Sequence, residues 1–97
     1  MITTEQLQEL VARNRSVLSG LKWRLFSSTE INAHLGSFSL YLSDTGKLQV
    51  RNVDVLAELD VPELAELFDR ERKRLQTEAL QEFAGHFGAD ASVKEVD

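Results

Sequence analysis

Cysteine is absent from this 97-residue chain. That excludes a disulfide framework, thiolate chemistry and cysteine-held metals, and it fits a reducing compartment. Proline occurs once, at Pro62. Glycine is sparse, and Gly85 and Gly88 follow a helical pattern rather than open one, which is the wrong end for a phosphate loop. No apolar run approaches the ~18 residues of a membrane span. The start, MITTEQLQEL, has neither a basic n-region nor an apolar h-region, so no secretion signal is read there. A cytoplasmic, soluble protein is expected. Only two histidines occur, His34 and His86, with no HExxH pattern. Glu82 and His86 lie one helical turn apart, but two ligands do not make a metal site. The serines occupy no G-x-S-x-G or SxxK context. No metal, cofactor or enzyme activity is expected.

Charge is present but unevenly spread. The net of −5 divides at residue 53. Before it stand six bases against four acids, a net of +2; after it stand twelve acids against five bases, a net of −7. Asp54, Glu58, Asp60, Glu63, Glu66 and Asp69 follow one another with no base among them. Such a run is either a solvated face or a surface that steers a basic partner.

The chain is organised around 61–87, VPELAELFDRERKRLQTEALQEFAGHF, which reads as one long helix. Its apolar residues fall in two blocks, Leu64/Leu67/Phe68 and Leu75/Leu80/Phe83/Phe87. Six consecutive charged residues, Asp69–Arg74, separate them. At 100° per residue Phe83 and Phe87 drift round from the first stripe, so no face is apolar throughout. The first block is expected on this chain's own core. The second is expected at an interface, because the belt carries the helix about 9 Å further along. The belt itself reads as a solvated segment between two packing zones.

Upstream, Thr3–Leu18 reads as a long N-terminal helix opened by a Thr3/Gln6 capping box. Leu21 and Leu25 continue its stripe, so the helix is expected to run to Phe26. The competing reading is a strand, Leu21–Leu25. The two differ over Trp23: the helix exposes it as an interface anchor, and the strand places it in the core. Ser28 is expected to cap a short helix, Thr29–Leu35, ended by Gly36. Phe38–Val53 alternates as a β-hairpin about Asp44-Thr45-Gly46, with Gly46 at positive φ. That register sets Leu42 against Leu48 and Leu40 against Val50. A second short helix is expected at Val55–Leu59, and Asp60 is expected to cap the long one. The phrase LAEL occurs at 56–59 and again at 64–67 and reads as two helical turns.

The fold class is therefore α+β: a long N-terminal helix, a central antiparallel hairpin of two or three strands, and a long C-terminal helix. Residues 1–88 are expected to form one domain and 89–97 a flexible tail. The function expected is non-catalytic protein–protein interaction, as an adaptor or as an inhibitor covering a basic, nucleic-acid-processing surface of a larger protein. The acidic contact surface would be Asp54, Glu58, Asp60, Glu63, Glu66 and Asp69. The dimer or partner interface would be Leu75, Leu80, Phe83 and Phe87, with Trp23; a homodimer is the simplest version. The alternative is a nucleic-acid-associated regulator using Arg13, Arg15, Lys22 and Arg24, a surface that must gather its bases on one face.

Overall fold

The structure, a computed structural model, describes residues 1–88. The tail expected at 89–97 lies outside the described residues. Thr3 opens helix α1 (Thr4–Arg13) with a capping box: its hydroxyl accepts from the Gln6 amide at 3.1 Å, and Gln6 Oε1 accepts from the Thr3 amide at 2.9 Å. The helix does not run on as expected. Asn14, on the apolar stripe, leaves helical geometry (φ −106°, ψ 32°), and its side-chain amide donates to the Leu10 carbonyl at 2.7 Å. An Asn that bonds its own preceding turn competes with the helix ladder. A short second helix, α2 (Arg15–Ser19), follows it.

The strand reading is the one that forms beyond Gly20. Strand β1 (Arg24–Leu25) is brief, and Trp23 is 1% exposed, with its indole N–H donating to the Leu18 carbonyl at 2.7 Å. Trp23 is therefore core and not an interface anchor. Leu25 sits at the sheet edge and stays half-exposed. Two expected helices are also strands. Thr29–Leu35 is β2 (Glu30–Leu35), and Val55–Leu59 lies in β5 (Asp54–Asp60). Each presented two or three apolar residues, which a helix turn and a strand satisfy equally. Neighbouring strands decided the matter. The hairpin forms as read, β3 (Phe38–Ser43) with β4 (Lys47–Asn52), with Leu42 opposite Leu48 and Leu40 opposite Val50. It is the centre of a five-stranded antiparallel meander in the order β1-β2-β3-β4-β5, rather than a hairpin of two or three strands.

Alternation gives the sheet two faces. Ile31, Ala33, Leu40, Leu42, Leu48 and Leu59 point to one face and are buried there with Trp23. The other face carries Asn32, Tyr41, Gln49, Arg51 and Glu58, in register across β2 to β5. A bulge between Val50 and Arg51 leaves Leu56 without a partner, so Leu56 and Ala57 both lie on the helical side.

Helix α3 (Leu64–Gly85) begins three residues later than expected. Asp60 ends β5 instead of capping, and Val61-Pro62-Glu63 form the turn, with the Leu64 amide on the Val61 carbonyl at 2.8 Å. Gly46, at φ 87°, is where the β3–β4 turn meets this connection: its carbonyl accepts from the Val61 amide at 3.0 Å. From there α3 crosses the apolar face toward β3, β2 and β1, while α1 lies along β5. Leu64, Leu67 and Phe68 are buried under it, each contributing about 1.5–3 kcal/mol of hydrophobic stabilisation. The charged belt is not fully solvated. Glu71 within it is 5% exposed and held by Arg74 at 2.9 Å.

Candidate interaction surface

Because α3 crosses to β1–β3, α1 covers the β5 end of the sheet's apolar face, with Leu18 of α2 in the core cluster. Helix α1 has ten residues and none is buried. It props itself on the sheet through half-buried Leu7 and Val11. An open groove of about 680 Å³ remains between them. Its floor is Leu40, Leu48 and Val50. Its rim is Ile2, Leu10, Leu35, Phe38 and Leu56, all at least 38% exposed. No charged side chain lines it, and Thr3, Thr4 and Asn14 are its polar members. Five side chains of this size in open water around one concavity mark a surface built for apolar contact.

A second apolar surface is the far end of α3. Leu75 still touches the core. Beyond it Leu80, Phe83 and Phe87 are 42%, 61% and 72% exposed. The rings of Phe83 and Phe87 meet edge to face, 5.1 Å between centroids. Their spacing of three and then four residues is that of a helical seam. None of this arm lines the chain's own groove.

The six acids do not gather into one patch. Glu58 and Asp60 lie on the open face of the sheet, opposite Gln49 and Lys47. Glu58 is already engaged: Gln49 donates to it at 2.9 Å and Lys47 pairs with it at 3.3 Å. These contacts, the Gln49 hydrogen bond first, hold its carboxyl below the ordinary value. Asp54 sits at the other end of β5, opposite Asn52. Glu63, Glu66 and Asp69 are exposed at three-residue spacing, so they share one side at the start of α3. The bases of the first half scatter as well. Arg13 pairs with Glu9, and Arg15 donates to the Glu63 carbonyl at 3.4 Å. In α3 Arg74 is shared between Glu71 and Glu78.

His34 makes a 3.3 Å contact with Ser39, and among the described residues no group of three His, Cys, Asp or Glu side chains is placed to hold a metal ion. No helix among them is long and apolar enough to cross a membrane. On the open sheet face Phe26 meets Tyr41 edge-on at 5.0 Å, and Arg51 lies over the Tyr41 ring at 5.5 Å. Neither this cluster nor the groove was legible as a site. The groove's rim comes from segments that read as helices, Leu35 and Leu56, and only the strand pairing brings them together. Compared with family models, curated proteins and solved structures, the chain matches none.

Proposed function

We propose that this chain is a non-catalytic protein–protein interaction module, an adaptor or inhibitor, that self-associates through the end of α3. The observation that carries the reading is the row Leu80, Phe83 and Phe87, left in solvent at the end of a helix that runs past its own core and in the turn that follows it. Exposing Leu80 and Phe83 on the helix and Phe87 in the turn just past it costs solubility unless another surface covers them. The acids Glu63, Glu66 and Asp69 at the other end of α3 supply the side that meets a basic partner protein. The test is the mass of the purified chain in solution, with capture of partners from a nuclease-treated lysate. Dimers that dissociate when Phe83→Glu is introduced support the reading. A monomer at every concentration, with no partner captured, removes it. Charge reversal of Glu63, Glu66 and Asp69 to lysine should abolish partner capture and leave the dimer intact.

A second reading, direct nucleic-acid contact, draws support from Phe26, Tyr41 and Arg51 on the open sheet face. Aromatic rings beside an arginine can stack bases. Labelled single-stranded DNA or RNA that does not bind even at low salt would dispose of it.

A further inference from the structure

We infer that the groove between α1 and the sheet is the seat of a second copy's α3 arm, so that two chains exchange arms reciprocally. This rests on the self-association proposed above and names what the arm docks into. Three observations lead to it. First, the chain presents two unpartnered apolar surfaces, a concave one and a convex one. The concave one is rimmed by Leu10, Leu35, Phe38 and Leu56; the convex one is Leu80, Phe83 and Phe87. Second, the arm cannot fill the groove of its own chain: α3 packs across β1, β2 and β3, whereas the groove opens beside β5 and the β2–β3 turn. The ten residues from Gln76 to Gly85 extend the helix about 15 Å beyond its last core contact, enough to lie on a neighbour.

Third, area and charge favour arm-in-groove over arm-on-arm. A stable interface covers about 800 Å² on each partner. The three arm residues alone offer on the order of half that, at 150–250 Å² for a fully buried aromatic. The groove's exposed apolar lining adds to that on each chain, which a contact of arm on arm would leave in water. Past Arg74 the described arm carries Glu78, which Arg74 already pairs, and Glu82, with no lysine or arginine. Two such arms side by side bring Glu82 of each toward the other with no lysine or arginine in the described arm past Arg74 to offset it, which is mildly unfavourable. The groove lining holds no charge at all. Reciprocal exchange is closed by a two-fold axis, so it stops at a dimer and does not propagate.

The test uses the chain's lack of cysteine as a clean background. Thr4→Cys at the groove and His86→Cys on the arm are made in separate chains, mixed, and oxidised gently. Alongside, the solution mass is measured for the wild type, Leu56→Glu and Phe83→Glu, both changes being at exposed positions and checked for an unchanged thermal melt. The expected result is a Thr4→Cys–His86→Cys cross-link and a monomer from either glutamate variant. A dimer that survives Leu56→Glu but not Phe83→Glu, with cross-links only between two arms, overturns arm-in-groove and leaves self-association standing. A wild type that is monomeric throughout overturns both.

Discussion

At the scale of single residues, backbone angles separate positions that look alike in the sequence. Gly36 and Gly46 both sit at positive φ, 60° and 87°. A Cβ on Gly36 would meet nothing within 4 Å, while one on Gly46 would lie 2.5 Å from the Val61 carbonyl oxygen and 2.9 Å from the Pro62 Cα. Gly36→Ala should therefore cost only the left-handed strain of about 1–2 kcal/mol. Gly46→Ala should cost clearly more, because the β5–α3 connection must move. Urea unfolding midpoints of the two variants compare them directly, and equal losses would mean the turn and the connection are not in contact. Val53 is the reverse case. It holds φ 65° in the tight β4–β5 turn and is 94% exposed. A β-branched residue is strained there and has no packing to lose. Val53→Gly should stabilise the protein by about 1 kcal/mol, read as a higher denaturation midpoint.

Elements were legible in proportion to the length of their pattern. The Phe38–Asn52 hairpin, its register and its Gly46 turn could all be read, because six alternating residues on each side admit no helix. The long helix could be read because two apolar blocks spread over more than twenty residues. Short elements were not. Leu-Ala-Glu-Leu at 56–59 is a strand and the same four residues at 64–67 are helical. The tetrapeptide decides nothing: β4 captures the first copy, and Pro62 with the turn at Val61 starts a helix for the second. The candidate surface follows the same rule. The arm residues Leu80, Phe83 and Phe87 were found from sequence because they follow one another along α3 and the turn that ends it. The groove was missed because its rim joins α1, β2, β3 and β5. The arm also predicts a gradient within α3. In dilute solution hydrogen exchange should be slow over Leu64–Leu75 and fast from Gln76 onward. Protection of the second half should rise with protein concentration as dimers form. Uniform protection of α3 at every concentration would contradict a projecting arm.

For the whole molecule, the projecting helix sets the shape. The Cα radius of gyration is 15.6 Å and the longest extent 55 Å, whereas a compact chain of this length has a radius near 13 Å. Solution scattering from the monomeric Phe83→Glu variant should give the larger radius and an elongated distance distribution. A value near 13 Å would show the arm folded back. The order of the sheet has a different consequence. Strand β5 ends the sheet, and its outer row of backbone N–H and C=O groups is a template on which any extended chain could grow. The strand is spelled Asp-Val-Leu-Ala-Glu-Leu-Asp, in which Asp54, Ala57, Glu58 and Asp60 favour strands poorly and three of those four are carboxylates. Those acids act as gatekeepers, since a newcomer strand would have to desolvate a carboxylate at each end of the edge. Replacing all three with their amides should leave the fold in place and let agitated protein seed thioflavin-binding fibrils sooner than the wild type. Half of the acidic run thus has work to do in a cell that contains no partner at all: it keeps a five-stranded sheet from acquiring a sixth.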